Sequence, residues 1–442
     1  MTEFFPEVKD QVPYEGPETD NPLAFRWYQP DRQVGEKTMA EHLNFAVAYW
    51  HTMKGDGSDP FGGPVYDRPW DKGSDEMEIA EKTQDALFEF CQKLGVDNYC
   101  FHDRDMAPAG DTIEETNKNL QHMVDRAKTL QEQTGVTLMW STACLFDHPR
   151  YTHGAATNPD PLVFAHAASQ VRRAIDAAVE LGAGAYVFWG GREGYTSLLN
   201  TDMKREREQL ARFLHMAVDY GRSNGFDGIF LIEPKPKEPT THQYDFDAAT
   251  CLQFLQEFDL TDDFKLNVEA NHATLAAHSY WHDLQTASMA GHLGSMDVNR
   301  GNPLLGWDTD QFPTDIYSAT KAMMTILEQG GLDGGMNFDA HVRRGSFDTE
   351  DLFHAHIGGM DTFARGLLVA HRMKEDGVLD DFIRERYSGY ESGIGKQIMD
   401  GEVTLEELEE YAAREGEPKL VSGRQEMLEN ILNDYIYGKD IR

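Results

Sequence analysis

Cysteine is scarce in this chain. Its four thiols, Cys91, Cys100, Cys144 and Cys251, lie far apart in 442 residues, with no Cys-x-x-Cys pair. That spacing speaks against a zinc ribbon or a disulfide framework and predicts buried, free thiols. Long apolar runs are missing as well, so no membrane span is expected. The start, Met1-Thr-Glu-Phe-Phe-Pro, has neither the basic nor the apolar region of a signal peptide, which points to the cytoplasm. Positive charge is in short supply: 40 Lys and Arg face 76 Asp and Glu, a formal net charge of −36. Such a field repels phosphate backbones and makes nucleic acid a poor partner. The acids are dispersed over the chain, so their mutual repulsion has to be screened by salt. A salt-rich cytoplasm, as in a halophile, is the expectation. No Gly-x-Gly-x-x-Gly turn opens a helix, which disfavours a nicotinamide-dependent dehydrogenase.

What is present is a rhythm of apolar runs. Hydrophobic residues make up 40% of the chain, enough for a globular core. Eight short β-prone runs recur: Phe45 to Trp50, Asn98 to Asp103, Thr137 to Thr142, Ala185 to Trp189, Gly228 to Glu233, Lys265 to Glu269, Leu293 to Asp297 and Gly335 to Asp339. Most are separated by segments of helical period. In one, Asp111 to Thr134, Ile113, Leu120, Met123, Ala127 and Leu130 share a face and Gly135 is the stop. In another, Asp202 to Asn224, Leu210, Phe213, Leu214 and Ala217 face inward. Strand and helix alternating in this way predict an α/β fold, a (β/α)8 TIM barrel. Residues 1–44 form an N-terminal extension, 45–348 the catalytic barrel, and 349–442 a helical C-terminal region suited to subunit contacts.

Barrel strands open their C-terminal ends on one face, where catalytic groups gather. The polar residues of this chain cluster at those run ends. Trp50 and His51 close the first run, and His102 and Asp105 the second. Thr142 closes the third, Trp189 the fourth, Glu233 and Lys235 the fifth, Glu269 and His272 the sixth. Asp297 closes the seventh, Asp308 and Asp310 lie in the loop after it, and Asp339 closes the eighth. Singly, each has a bland explanation: an Asp-x-Asp is usually a solvated loop, and a lone tryptophan is core. Their joint occurrence at successive run ends is what chance does not supply. Carboxylates gathered at apolar ends are costly unless a positive charge sits between them. Six carboxylates and one imidazole suit Mg²⁺, Mn²⁺ or Co²⁺ better than zinc. They exceed the needs of one ion, which points to two ions sharing a carboxylate. Trp50 and Trp189 suit the C–H faces of a sugar. His102, its tautomer fixed by Asp105, suits a base, and Lys235 suits a developing oxyanion.

These residues sit in segments that resemble the xylose isomerases, specifically the longer-chain class with an N-terminal extension. The matching stretches include Asn21-Pro-Leu-Ala-Phe-Arg, Tyr49-Trp-His-Thr, Cys100-Phe-His-Asp-Arg-Asp and Phe188-Trp-Gly-Gly-Arg-Glu-Gly-Tyr195. Further on come Ile232-Glu-Pro-Lys-Pro, Asn267-Val-Glu-Ala-Asn-His-Ala-Thr, Gly306-Trp-Asp-Thr-Asp-Gln-Phe-Pro313 and Asn337-Phe-Asp-Ala. The resemblance implies a structural metal on Glu233, Glu269, Asp297 and Asp339, and a mobile catalytic metal on Glu269, His272, Asp308 and Asp310. It implies that His102, oriented by Asp105, assists sugar-ring opening and that Lys235 bonds O1. Trp50, Thr142 and Trp189 would line the pocket, and Phe61 would enter from a neighbouring subunit. The implied reaction interconverts D-xylose and D-xylulose, with D-glucose and D-fructose as a second pair, by a two-metal-assisted 1,2-hydride shift. The implied assembly is a homotetramer, a dimer of dimers. Arg104 departs from the resemblance, placing a charge where an apolar residue is expected.

Two rivals remain open at this level. A two-metal phosphodiesterase on a TIM barrel would use similar ligands, but it calls for more histidines and a basic phosphate track. A sugar-binding protein without catalysis would not need the full ligand set.

Overall fold

In the computed structural model, which describes residues 3–438, the eight apolar runs pair side by side in parallel and close on themselves. The strands are β1 (Phe45–Ala48), β2 (Asn98–His102), β3 (Thr137–Thr142), β4 (Ala185–Trp189), β5 (Ile229–Glu233), β6 (Phe264–Glu269), β7 (Leu293–Asp297) and β8 (Met336–Phe338), with β8 pairing back onto β1. This is the expected (β/α)8 barrel. Register matters here more than topology. Glu269 pairs across to Asp297, Trp189 to Glu233 and His102 to Thr142. Groups from different strands therefore reach the mouth at one level.

Each strand is followed by an outer helix, α1 (Glu76–Leu94), α2 (Ile113–Thr134), α3 (Pro161–Leu181), α4 (Met203–Ser223), α5 (Ala248–Glu257), α6 (Tyr280–Met289), α7 (Ile316–Gln329) and α8 (Thr349–Asp376). Their starts are chemically marked. The side chains of Asp75, Thr112, Asp160, Asp202, Asp247, Ser279 and Asp315 accept from backbone N–H groups of the first turns that would otherwise lack partners. Left-handed Gly95, Gly135, Gly182, Gly330 and Gly377 end five of them. On α2, Leu120, Met123, Ala127 and Leu130 are buried, but Ile113 in the first turn is exposed because the helix starts beyond the layer it packs on. On α4, Phe213, Leu214 and Ala217 are buried and Leu210 half-buried.

Two apolar cores result. Ala46, Cys100, Met139, Trp140, Ala185, Val187 and Leu231 fill the barrel interior, while a larger core lies between strands and helices. All four cysteines are buried and unpaired. Residues 3–44 run over the helix layer: the Phe5 ring packs tilted against Trp70 and Phe90 and edge-on to Phe353, and the N–H groups of Arg26, Trp27 and Tyr28 donate to Asp361. Helix α8 belongs to the barrel's ring, buried along its length against α7. The helices beyond it, Val378–Tyr387, Gly393–Met399, Leu405–Glu415 and Gln425–Tyr437, expose Ile383, Met399 and Leu405, and the segment 416–424 between the last two exposes Leu420 and Val421. The outermost ends of both terminal segments, residues 1–2 and 439–442, lie outside the described residues. No helix among the described residues is long and apolar enough to cross a membrane.

Candidate metal centre

The carboxylates at the ends of β5 to β8 converge. Glu233, Glu269, Asp297 and Asp339 each offer an oxygen within 4.8 Å of the others'. A second group, Glu269, Asp308 and Asp310, meets the same criterion, and so does a third, Glu233, Glu269 and His272. Glu269 is common to all three. It lies at the centre because it ends β6, between β5 and β7, and its burial is nearly complete at 1% exposure.

Asparagines hold these carboxylates. Asn267, two residues before Glu269 and so on the same side of β6, donates to Glu233 Oε2 at 3.1 Å and Asp297 Oδ2 at 2.5 Å. Asn337 donates to Asp297 Oδ1 at 2.8 Å. Asn299 donates to Glu269 Oε1 at 2.8 Å, Asp310 Oδ1 at 3.1 Å and the Asp339 carbonyl at 2.7 Å. Asn271 donates to Asp308 and Asp310. A neutral donor fixes a carboxylate without taking away its charge, which is what a cation site requires. Asn299→Ala is therefore expected to weaken divalent-ion affinity by about 10- to 100-fold while the fold persists. Calorimetric titration of the variant measures this; unchanged affinity would remove the supporting role.

The electrostatics suit a bound cation. Burial, with the neighbouring carboxylates, pushes Glu233 and Glu269 well above the usual carboxylate range, and burial beside Asp339 pushes Asp297 up to about 8. Glu269 Oε2 and His272 Nδ1 are buried 3.1 Å apart, and neither has a hydrogen-bond partner. A buried carboxylate oxygen and a buried imidazole nitrogen that face each other without hydrogen-bond partners suit the ligands of a divalent ion. Two protein cations sit at the edge. Lys235 pairs with Asp308, and that attraction outweighs the burial of both and holds Asp308 well below its ordinary range. The His51 ring contacts Asp310 at 3.2 Å and Asp339 at 2.9 Å, which offsets its burial and lifts its pKa to about 10. Asp310 itself has φ of 36°, the left-handed region that a branched side chain rarely adopts, and such strain is typical of functional loops.

Above the carboxylates is a cavity of about 170 Å³. Trp50, His102, Trp140, Thr142, Val187 and Trp189 wall it, and Lys235, His272 and the acids form its floor. His102 Nδ1 lies 2.7 Å from Asp105 Oδ2, leaving Nε2 toward the cavity. Trp50 donates to Asp339 Oδ1 at 2.8 Å and stands edge-on to His102. The Lys235 ammonium lies 5.1 Å from the centre of the Trp189 ring. Phe61 is elsewhere: 81% exposed, its ring against Trp307 and outside the cavity of its own chain.

Comparison with known proteins then places the chain. A family model described as the xylose isomerase-like TIM barrel matches residues 88–334, and the XylA2 C-terminal domain matches 383–436. The xylose isomerase of Geobacillus kaustophilus is 57% identical over 98% of this chain and 97% of its own length. That of Thermotoga maritima is 54% identical over 99% and 98%. The chain belongs to the xylose isomerase family. Xylose isomerase 2 of Xanthomonas campestris, 58% identical over 98% of this chain, is a further relative.

Within this xylose isomerase fold, Arg104 does not reach the cavity. Its guanidinium pairs with buried Asp103 at 3.1 Å and lines a neighbouring groove with Lys54 and Arg150. Sequence reasoning does not find the asparagine supports or the role of His51. The signal for Asn267 and Asn337 is available all the same: each lies two residues before a ligand at a strand end, on the same face.

Proposed function

We propose that this chain interconverts D-xylose and D-xylulose, with D-glucose and D-fructose as a second pair, using two divalent ions drawn from Mg²⁺, Mn²⁺ and Co²⁺. One observation carries the reading. In a member of the xylose isomerase family, Glu269 stands at the meeting point of two carboxylate groups beneath a tryptophan-walled cavity.

Glu233, Glu269, Asp297 and Asp339 would hold the structural ion, and Glu269, His272, Asp308 and Asp310 the catalytic one. Ions held there would supply Lewis-acid polarisation and charge stabilisation at the oxygens of the open-chain sugar. The chain's own residues do the rest. Trp50 and Trp189 stack on the C–H faces of the sugar and exclude water, and Thr142 borders the same space. His102 exchanges the proton needed to open the sugar ring, with Asp105 holding its tautomer. Lys235, held charged by Asp308 and Asp310 despite its burial, donates to O1. Phe61, exposed on its own chain, closes a neighbour's pocket in a homotetramer held partly by the C-terminal helices. Of the division into residues 1–44, 45–348 and 349–442, the last would serve that assembly through the helices beyond α8, since α8 itself completes the barrel's ring.

The phosphodiesterase reading has little support. The chain's net charge of −36 repels phosphate backbones, and its relatives are xylose isomerases along nearly their whole length.

The direct test incubates the protein with D-xylose and Mg²⁺ or Mn²⁺ in high salt and follows xylulose, with and without EDTA. Metal-dependent ketose formation is the expected result; no ketose from any aldose with ions bound would overturn the reading. The acidic surface carries its own prediction. In a salt-rich cytoplasm of a halophile, molar KCl should raise both activity and the thermal midpoint by screening repulsion. A midpoint highest at low salt would exclude that adaptation.

A further inference from the structure

A second cluster of metal-binding side chains lies outside the carboxylate centre, on the rim of the barrel mouth. Donor atoms of His278, His282 and Asp283 fall within 4.8 Å of one another. His278 follows β6 by way of the short helix Ala270–Leu275, and His282 and Asp283 belong to the first turn of α6. Asp247, the cap of α5, faces His278 of this cluster from the neighbouring loop.

The details resemble a metal site more than a surface ion pair. Asp283 is buried, and its Oδ1 lies 3.0 Å from His278 Nδ1. A carboxylate there fixes the proton on Nδ1 and leaves the Nε2 lone pair free, the arrangement that orients an imidazole ligand. Asp247 uses one oxygen, Oδ1, to cap α5 through the Thr250 N–H at 2.7 Å. Its other oxygen, Oδ2, stands 3.9 Å from His278 Nε2. Bonds of about 2.0–2.2 Å to one tetrahedral ion place two donors roughly 3.4 Å apart, so a small closure brings both onto a single ion. The His282 ring sits edge-on to that of His278, with centroids 4.9 Å apart, and it is exposed on the open side. Two imidazoles and a carboxylate favour borderline ions such as Zn²⁺ over Mg²⁺.

We propose that His278, His282 and Asp247, with Asp283 orienting His278, bind one zinc-class divalent ion at the barrel rim. The site is separate from the carboxylate centre and differs from it in ion preference. It links the loop after β5, which leads from Lys235 to Asp247, to the loop after β6, which leads from His272 to α6. An ion there staples two of the loops that carry the mouth.

The test compares wild-type protein with His282→Ala, which alters an exposed side chain, and with Asp247→Asn, which keeps the helix cap. Each protein is saturated with Mg²⁺, equilibrated with micromolar Zn²⁺, washed and analysed for zinc. Wild type is expected to hold one more zinc per chain than either variant, even where zinc also enters the carboxylate centre. The wild-type thermal midpoint should rise with zinc by an increment that both variants lack. Mg²⁺-supported activity should be equal in all three. Equal zinc contents, or equal zinc-induced shifts, would overturn the proposal.

Discussion

Replacing Glu269 with Gln is expected to abolish turnover and weaken binding at both ion positions together. Glu269 is the carboxylate shared by the ligand group of Glu233, Asp297 and Asp339 and the group of Asp308 and Asp310, so one change removes a charge from both. Residues that only support a ligand alter metal affinity about 10- to 100-fold, so loss of the shared ligand should lower activity by more than about 100-fold. The substitution keeps size and shape, and a control separates chemistry from folding. Glu269 is buried among acids that push its pKa well up, so charge at this position is costly when no ion is present. The metal-free variant should therefore be at least as thermally stable as the metal-free parent. Near-full activity in E269Q, or ion loss at only one position, would sink the shared-ligand assignment.

Stripping the ions should make stability depend on pH in the opposite sense from an ordinary acidic protein. Burial lifts Asp297 from the ordinary aspartate range near 4 to about 8, and Glu233 and Glu269 also move up. Between about pH 4 and pH 8 the folded, metal-free site then holds protons that the unfolded chain has released. Raising the pH through that window removes stability, at about 1.4 kcal/mol per pH unit for each excess proton. Asp308 and Asp339 are shifted down, so their contribution falls away only in acid below that window. EDTA-treated protein should show a thermal midpoint that declines from pH 5 to pH 8, and loading with Mn²⁺ should remove most of the slope. Loading must also expel the held protons, so titrations in buffers of different ionisation heat should give different apparent enthalpies, with affinity rising toward pH 8. A flat midpoint and buffer-independent enthalpies would show that the carboxylates are ionised without the ions.

Much of this was legible in the chain because strand ends are chemically conspicuous. A run such as Lys265 to Glu269 that stops on a carboxylate announces both a strand and a face, and the acids of β5 to β8 do converge. The supports were less visible. Asn267 and Asn337 look like weak strand residues, and only the closed barrel shows that each reaches a carboxylate. His51 follows Trp50 in an ordinary helical turn, and its contact with Asp310 spans the barrel mouth. Helix α8 has the amphipathic period of the helices after it, and period alone does not say whether a helix packs on its own barrel or stands off it. Arg104 is adjacent to His102 in sequence but faces another groove, because Asp103 draws its guanidinium away.

The barrel splits its labour along the chain. Strands β1 to β4 bring Trp50, His102, Trp140, Thr142, Val187 and Trp189 to the cavity, while every carboxylate of the centre comes from residue 233 onward. Ion binding thus resides in the second half of the polypeptide, while the first supplies the cavity wall together with His102 and Asp105. Libraries within residues 45–189 that keep Trp50, His51, His102 and Asp105 can reshape the cavity for other sugars and leave the ion ligands untouched. Exchanging that half between relatives asks only that the two seams, β4 with β5 and β8 with β1, still pair.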